Sequence, residues 1–556
     1  MVYPFIANNP GEAAVAKRRL GAVTIGHLTP PLKPAGQHGA ALELERLIDE
    51  YAAADGLDRR RTALLRRAIL DRAEETGLLA EGHIPRDIPE EDALARLDAW
   101  LCDVKEMQIR DGLHVFGRAP APERRAALLA ALTRSAPGFD PARLDAAPLA
   151  ERAALLAALE GRFVQPGPSG APTRGRADVL PTGRNLYSID PRGVPTRSAL
   201  ALAEKAAEEL LRRHRQEQGD WPRALVLDLW GSATMRTGGE DLALALVLLG
   251  ARPVWDESSA RVTGVEILPL ALLDRPRVDV TLRISGLFRD AFPAQIALFD
   301  SAVRAIAARK DEAPDWNPLA ATARGLTGAA LRRATARIFG AAPGRYGTGL
   351  EERIARGAWE DRAELGQAWL DASAATYGQG LEGAPDRDAL AARVTAAEAF
   401  LHSQDHAETD LLDSPDYAAH EGGFAAAAAA LGASPALYHA DTTNPEAPRL
   451  RGLAEEIARV VRARAANPAW IAGMMRHGHR GAAEIARALE GLHAFAATLP
   501  ERLDPQFDLL FDATLGNPAV RAFLEANNPA ALATMRARFA EARERGLWRP
   551  RRNDTP

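Results

Sequence analysis

The chain contains one cysteine, Cys102, among its 556 residues. A single cysteine excludes an internal disulfide and any metal site built from several thiolates, and it permits a reducing compartment. The sequence also lacks a run of about eighteen apolar residues, and its amino terminus has no basic segment followed by an apolar one. We therefore expect a soluble, cytoplasmic protein without a membrane-spanning helix.

Blocks of like charge are also missing. The formal net charge is -5, and no five like charges follow one another. These absences argue against a nucleic-acid-binding surface and against binding to an anionic membrane, so small molecules or proteins are the expected partners.

The sequence contains no GxxxxGK[ST] motif, and none of its five lysines follows a glycine. The chain therefore lacks a P-loop of its own. Any use of ATP must depend on a partner or on an unrecognised site.

The length predicts two to four domains, because one hydrophobic core does not grow to this size. From residue 38 to residue 160 the apolar residues recur with helical spacing, as in ALELERLIDEYAAA, so we predict a helical domain at 1–164. A stretch rich in Pro, Gly and Ser at 165–185 interrupts this period and is predicted to be a linker.

Residues 186–345 show a different pattern. The apolar run ALVLDLW at 224–230 is followed by the helical segment EDLALALVLLGA and then by short β-type segments, at 253–255, 265–268 and 278–285. Strand, helix and strand in this order predict a parallel, Rossmann-like α/β sheet.

Residues 346–556 return to a helical pattern, which two polar loops interrupt at 402–423 and 438–451. We predict a helical carboxy-terminal domain with His- and Asp-rich loops. The predicted fold class is therefore mixed α/β and mostly helical: a helical array, a central parallel α/β domain, and the helical carboxy-terminal domain.

Histidines and carboxylates concentrate between residues 402 and 421. His402, Asp405 and His406 combine the ligand types that suit a divalent ion such as Co²⁺ or Zn²⁺. His402 and His406 would also face the same way on a helix. These three residues are the predicted metal ligands. The alternative is a solvated acidic loop in which the imidazoles only form caps or hydrogen bonds.

Several arginines and one further histidine are candidate binding groups. Arg236 precedes two glycines and a helix whose first N–H groups can meet an anion. Arg283 ends a strand and Arg289 begins the next helix, where guanidinium groups are well placed to bind carboxylates. His477 stands in a His-Gly-His-Arg-Gly turn between two helices, where glycine allows close approach of a bulky group. A tight βα turn and a helix corner with a capping histidine are the plain alternatives.

Long blocks of the sequence resemble the large subunit of aerobic cobaltochelatase, the CobN family, which is related to the large subunit of magnesium chelatase. The matching blocks keep the same order: YPFIANNPGEAAVAKRR at 3–19, HLTPPL at 27–32, LPTGRNLYSIDPRGVPT at 180–196, WGSATMRTGGEDLALAL at 230–246, GARPVWD at 250–256, RVDVTLRISGLFRDAFPAQIALFDSAVRA at 277–305, IFGAAPGRYGTGL at 338–350, LLDSPDY at 411–417, EGG at 421–423, and NPAWIAGMMRHGHRGAAEIA at 467–486.

The resemblance implies a metal–nitrogen bond-forming ligase subunit that binds a corrin ring. Co²⁺, as substrate, is inserted into hydrogenobyrinic acid a,c-diamide on the aerobic cobalamin pathway. The resemblance also implies an AAA+ ATPase partner, which uses ATP and Mg²⁺, and a second small subunit.

One departure from the family concerns the amino-terminal half. The family carries a His-Gly-Thr-Leu-Glu-Trp-Leu-Pro-Gly-Lys type motif shortly before the segment that matches Tyr3–Arg19, and this sequence does not contain it. We therefore expect a separate polypeptide to supply the amino-terminal half, and we expect this chain to be inactive alone.

The implied reaction also suggests roles for particular residues. Ring N–H protons must leave as the metal enters, so a base beside the ring and a ligand that releases the metal are both needed. His477 and Glu421 are the predicted catalytic residues. The predicted ring-binding residues are Arg184, Asn185, Arg236, Arg283 and Arg289.

Two other functions stay open. The first is a truncated, non-catalytic protein that binds a tetrapyrrole or a metal. The second is a magnesium chelatase-like subunit that acts on protoporphyrin IX, although Mg²⁺ prefers oxygen ligands and the histidine-rich segment suits cobalt better.

Overall fold

The computed structural model describes residues 1–551. Its strands, numbered along the chain, are β1 (Val2–Ile6), β2 (Val23–His27), β3 (Leu32–Pro34), β4 (Gln108–Arg110), β5 (Pro166–Pro168), β6 (Asn185–Tyr187), β7 (Ala224–Leu229), β8 (Ala251–Trp255), β9 (Val262–Ile267), β10 (Asp279–Ile284), β11 (Ile338–Gly340), β12 (Ala375–Gly378), β13 (Leu381–Pro385), β14 (Ala399–Gln404), β15 (Ala436–Asp441) and β16 (Arg449–Gly452).

The α-helices are α1 (Pro10–Leu20), α2 (Ala40–Ala54), α3 (Arg59–Glu75), α4 (Leu78–Glu81), α5 (Glu90–Glu106), α6 (Pro122–Ser135), α7 (Pro141–Leu159), α8 (Arg197–Gln218), α9 (Gly231–Thr237), α10 (Glu240–Leu249), α11 (Leu270–Leu273), α12 (Gly286–Ala291), α13 (Pro293–Ala307), α14 (Pro318–Ala323), α15 (Gly328–Ala334), α16 (Leu350–Ala355), α17 (Arg362–Ser373), α18 (Arg387–Ala396), α19 (Pro415–Tyr417), α20 (Gly423–Ala430), α21 (Leu453–Val460), α22 (Pro468–Met475), α23 (Gly478–Thr498), α24 (Asp504–Ala513), α25 (Pro518–Asn527) and α26 (Pro529–Glu544). No helix within residues 1–551 is long and apolar enough to cross a membrane.

An eight-stranded sheet organises the chain, in the order β13-β12-β11-β10-β7-β14-β15-β16. Its five middle strands are parallel, whereas β13, β12 and β16 pair antiparallel with their neighbours. The predicted mixed α/β class is confirmed, but the central sheet is mixed and not wholly parallel. β8 and β9, which were predicted to belong to it, instead pair with each other in a separate antiparallel sheet.

β14 and β15 overlap the first residues of the two segments that were predicted to be polar loops, 402–423 and 438–451. Every residue of β14 is buried, including His402, Ser403 and Gln404. A central strand is covered by other elements on both faces, so it does not show the alternation of apolar and polar residues by which strands are recognised. The sheet therefore continues well past residue 345, where the sequence predicted the α/β domain to end.

The amino-terminal part also contains strands. β1, β2, β6 and β5 form a four-stranded sheet in that order. Residues 1–164, predicted to be helical, contribute β1 and β2 to this sheet. The predicted linker at 165–185 contributes β5 and the first residue of β6.

Hydrophobic clusters cover both faces of the central sheet. Along β7, Leu225 and Leu227 belong to one cluster with α8, α10 and α13, whereas Val226 belongs to the other, which includes α17, α20 and α23. Successive side chains of a strand point to opposite faces, so one apolar run supplies both clusters. Because the sheet is buried on both faces, the positions of the carboxyl ends of β7, β10 and β14 are fixed.

Candidate functional site

A cavity of about 530 Å³ opens where β7, β10 and β14 end. Its walls come from residues 6–12, 230–236, 285–287, 346–351 and 406–420. β10 lies on one side of β7 and β14 on the other. The order in which the chain adds strands therefore changes direction at β7. Ligands of open α/β sheets bind beyond the carboxyl ends of the strands at such a point. We call this space the sheet-edge cavity.

The amino-terminal segment forms one wall of the cavity because α1 packs closely on α9 and α12, the helices that follow β7 and β10. A Cβ atom at Gly11 would lie 2.9 Å from Leu287 Cδ2 and 3.0 Å from Ser232 Cβ. Only glycine permits this approach. The residues just before α1, Asn8 and Asn9, therefore face the carboxyl ends of the central strands.

A second wall of the cavity is supported by Asp228, a buried carboxylate near the end of β7 that contacts four other side chains. Asp228 accepts a hydrogen bond of 2.6 Å from Trp230 Nε1. It also lies 3.0 Å from His420 Nδ1 and 3.1 Å from His402 Nδ1, and Arg283 NH1 is 3.3 Å away. Burial alone would raise the pKa of Asp228, but His420, Arg283 and His402 hold it well below its usual value.

This wall is largely aromatic. The rings of Trp230 and Tyr417 lie 5.0 Å apart at an angle of 32°, and the ring of His420 is 5.1 Å from that of Trp230. All three residues line the sheet-edge cavity. Because Asp228 fixes the indole N–H, the Trp230 ring is held in one orientation beside the cavity.

A polar wall is formed by Arg236 and the asparagine before α1. Arg236 donates two hydrogen bonds of 2.7 Å to Asp405 and one of 3.4 Å to the carbonyl oxygen of Asn8. Burial would raise the pKa of Asp405, but Arg236 holds it far below its usual value. The Asn8 side chain lines the cavity, and its Nδ2 has no hydrogen-bond partner among residues 1–551. Asn8 therefore has a buried, unpaired donor at the cavity wall.

The loop after β14 carries the remaining wall and is anchored by two carboxylates. Asp413 accepts from Arg110 at 2.5 Å and from the Asp410 N–H at 3.0 Å, and Asp410 accepts from Arg464 at 2.6 Å. These contacts join the loop to β4, which carries Arg110, and to the helical turn after α21, which carries Arg464. They hold His406, which also lines the cavity, in a fixed position.

The three predicted metal ligands do not form a ligand set. His402 lies on β14 and contacts Asp228, both oxygens of Asp405 accept from Arg236, and His406 lies beside Glu408. No group of three or more His, Cys, Asp or Glu side chains in the described chain is placed to hold a metal ion. The helical spacing argument failed because no helix forms here: His402 lies on β14, whereas His406 lies in the loop that follows it.

The two predicted catalytic residues lie away from the sheet-edge cavity. His477 Nε2 accepts a hydrogen bond of 2.9 Å from the Leu113 N–H, next to the start of α23. Burial and the charges of Arg476 and Arg124 lower the pKa of His477. Glu421 is fully buried, and its Oε2 lies 3.1 Å from His439 Nδ1. Neither residue lines the cavity.

Of the five predicted ring-binding residues, Arg236 lines the cavity and Arg283 lies behind it. Arg289 is buried and donates to the carbonyl oxygens of Ala341, Ala342 and Arg345, which shapes the turn before Tyr346. Arg184 and Asn185 belong to the four-stranded sheet, where Asn185 accepts from the Thr24 N–H at 3.2 Å. Sequence reasoning missed Asn8, Trp230 and Tyr417, because it searched for charged groups.

A second cavity, of about 630 Å³, lies on the other side of the loop after β14. Three of its guanidinium groups are already paired: Arg451 donates to Asp103 at 3.0 Å, Arg449 also contacts Asp103, and Arg459 donates to Glu456 at 2.6 Å. The sheet-edge cavity, with its aromatic wall and free donor, is therefore the better candidate for ligand binding.

Comparison with known proteins gives a consistent result. The model of the CobN/Magnesium Chelatase family matches residues 1–142 and 138–555. The chain is 44% identical to the aerobic cobaltochelatase subunit CobN of Sinorhizobium (99% of this chain, 52% of the relative) and 45% identical to that of Pseudomonas aeruginosa (98% and 52%). It is 31% identical to a magnesium-chelatase subunit of Rhodobacter capsulatus (99% and 45%).

A solved structure shows the same fold. The catalytic subunit of cobaltochelatase from Mycobacterium tuberculosis superposes with a TM-score of 0.95 at 37% identity, covering 100% of this chain and 53% of that one. The chain thus spans about half the length of the relatives it matches. Since the family model covers nearly all of it, the chain belongs to the CobN/magnesium chelatase family.

Proposed function

We propose that this chain is the tetrapyrrole-binding portion of an ATP-dependent cobaltochelatase and that the sheet-edge cavity receives the ring. The observation that carries the proposal is the composition of that cavity at the ends of β7, β10 and β14. A macrocycle with amide and carboxylate arms needs an apolar aromatic surface for its plane and donors for its rim. Trp230 and Tyr417 provide the first, and Asn8 provides a free donor.

The reaction we propose is the insertion of Co²⁺, as substrate, into hydrogenobyrinic acid a,c-diamide in aerobic cobalamin biosynthesis. The names of the CobN relatives support the choice of metal. Three carboxylates that line the cavity, Glu12, Glu351 and Asp416, have no ion-pair partner within the described residues. Their charge favours the approach of a hydrated divalent cation.

The partners in this proposal are an AAA+ ATPase, which hydrolyses ATP with Mg²⁺, and a second small subunit. The absence of a P-loop from the sequence fits an ATPase on another chain. The match to this chain covers 52% of each CobN relative, so the partners and the activity of the whole relatives are proposals for this chain.

The structure supports different roles for the predicted residues. Arg236 and Arg283 each hold a buried carboxylate, so we assign them to keeping the cavity walls in place. Arg289 supports the turn at Tyr346 in the same way. We assign ring contact to Asn8, Trp230 and Tyr417 and no ring contact to Arg184, Asn185, His477 or Glu421.

The test is a visible-absorption titration of the full chain with hydrogenobyrinic acid a,c-diamide. We expect saturable binding that Trp230→Ala weakens about tenfold or more, because the indole loses its contact with the ring plane. Trp316→Ala is the matched control, since Trp316 is 44% exposed and does not line the cavity, and it should bind like the wild type.

Other outcomes separate the alternatives. Tight ring binding that the ATPase partners never change would favour a non-catalytic binding protein. Preferential binding of protoporphyrin IX, with Mg²⁺ insertion by the reconstituted complex, would favour a magnesium chelatase-like subunit. A reconstituted complex that hydrolyses ATP without metallating any corrin would contradict the proposal.

A further inference from the structure

One carboxylate beside the sheet-edge cavity is completely buried without an arginine or lysine partner. The Glu408 side chain is 0% exposed, and its ion-pair partner among residues 1–551 is His406, whose Nδ1 lies 3.2 Å from Oε2. The other oxygen accepts a hydrogen bond of 2.6 Å from Thr173 Oγ1. A buried carboxylate is costly unless hydrogen bonds compensate for the lost water, so these two contacts account for its presence.

The contact between these two atoms is an ion pair by distance, and neither His406 Nδ1 nor Glu408 Oε2 forms a hydrogen bond with any group in the described chain. Burial would raise the pKa of Glu408, but His406 and Thr173 hold it below its usual value, so the carboxylate stays charged. A charged carboxylate beside Nδ1 favours the tautomer in which that nitrogen carries the hydrogen.

This tautomer leaves the lone pair of the imidazole on the other nitrogen. His406 Nε2 lies 3.5 Å from Thr409 Oγ1, and both residues line the sheet-edge cavity. A buried carboxylate, an imidazole beside it on the cavity wall, and a second imidazole nitrogen with only the long Thr409 contact form the arrangement of a general base with its orienting group. Such contacts are often poorly aligned before the ligand binds.

The other imidazole on the cavity wall is less suitable. Arg283 NH1 lies 2.5 Å from His420 Nδ1 and 3.1 Å from its Nε2, and Trp230 Nε1 also approaches Nδ1 at 3.0 Å. The imidazole of His420 is therefore already occupied by the buried network of Arg283, Trp230 and Asp228. Three further His–Glu pairs of the described chain, His439–Glu421, His114–Glu151 and His493–Glu541, do not line the cavity.

We propose that His406 is the base that removes a proton from an inner nitrogen of the bound ring, and that Glu408 is the positioning residue that holds its imidazole. The inference rests on the proposed function, since it requires the ring in the sheet-edge cavity. The N–H bond of the ring breaks, its electron pair stays on the ring nitrogen and forms the bond to the entering metal, and the proton moves to His406 Nε2. The resulting imidazolium is stabilised by Glu408 and returns the proton to solvent.

The experiment uses the chain reconstituted with its chelatase partners and loaded with hydrogenobyrinic acid a,c-diamide. Single-turnover metallation by Co²⁺ is followed by visible absorption, and the dissociation constant of the ring is measured separately. We expect His406→Ala to lower the metallation rate about 100-fold or more while leaving ring affinity within a fewfold of wild type. Added imidazole should restore part of the rate, since it replaces the lost base. His114→Ala, which removes a buried His–Glu pair elsewhere, is the matched control and should metallate normally.

The role of Glu408 is tested with a double-mutant cycle that combines Glu408→Gln with His406→Ala. Glu408→Gln keeps the size of the side chain but removes its charge, and we expect a loss of about 10-fold or more in rate. In the His406→Ala background the same change should cause no further loss, because there is no imidazole left to position. A structural role for Glu408 would lower the rate in both backgrounds.

The outcomes are distinguishable. If the wild-type complex metallates the ring and His406→Ala does so at the same rate, or if imidazole restores nothing, His406 is not the base and the inference is overturned while the proposed function stands. If Glu408→Gln lowers the rate equally in both backgrounds, the positioning role is overturned. If the wild-type chain does not bind the ring, or its complex never metallates it, the proposed function fails first.

Discussion

Arginine–carboxylate pairs occur both at the sheet edge and on the amino-terminal helices, in opposite surroundings. At the sheet edge, the side chains of Arg283 and Asp228 are each 1% exposed. Between α6 and α7, those of Arg125 and Asp145 are 33% and 53% exposed, although the pair is shorter at 2.6 Å. The comparison shows that burial, and not distance, decides what such a pair does.

The physical reason is solvent. An exposed pair is screened by water and salt and loses side-chain freedom, so it adds little to stability. A buried pair has lost its hydration, so removing one partner leaves an uncompensated charge. Trp230 and His420, which line the sheet-edge cavity, are both held by the Asp228 carboxylate. The positions of these two side chains therefore depend on the buried pair.

The largest expected effect is that of Arg283→Met. This change keeps much of the side-chain volume but leaves Asp228 buried with only imidazole and indole partners. We expect the free energy of unfolding to fall by about 3–5 kcal/mol, measured by urea denaturation. Arg283→Lys, which keeps the charge, should recover part of the loss. A loss in Arg283→Met no larger than that of a surface variant would show that the buried network is not needed for stability.

A smaller effect is expected from Asp241, at the start of α10. Burial raises the pKa of Asp241 to about 7, and the carboxylates of Asp405 and Glu240 contribute to the rise. Its pKa in the unfolded chain is near 4. The folded chain thus holds a proton that the unfolded chain releases, so stability falls as the pH rises from about 4 to 7.

The corresponding variant is Asp241→Asn, which keeps the shape and removes the titration. Between pH 5 and pH 8 the wild type should lose about 2–3 kcal/mol of unfolding free energy that the variant does not lose. Urea denaturation of both proteins at the two pH values measures this difference. Equal losses in the two proteins would show that Asp241 is already charged in the folded chain at pH 5.

Local patterns predicted much of the fold. The apolar run at 224–230 contains β7, and the helical segment EDLALALVLLGA contains α10. β14 was missed because a strand buried on both faces has no alternation, and its terminal His402, Ser403 and Gln404 resemble a loop.

The site was predicted less well, because its groups meet only in three dimensions. Arg236 and His406 were identified as candidates and do line the cavity. Their partners were not foreseen: Arg236 binds Asp405 across 169 positions of sequence, and Glu408 was not considered. Pairings over such distances are set by the order of strands in the sheet, which composition and spacing do not reveal.

The smallest expected effect belongs to the exposed pair of the comparison. Arg125→Ala removes both hydrogen bonds to Asp145, of 2.6 Å and 2.7 Å. Water then solvates the remaining carboxylate, so no buried charge is left behind. Urea denaturation should show no measurable change in the free energy of unfolding, and ring binding should be unaffected because the pair does not line the cavity. A loss comparable to that of Arg283→Met would mean that burial does not separate the two classes of ion pair in this chain.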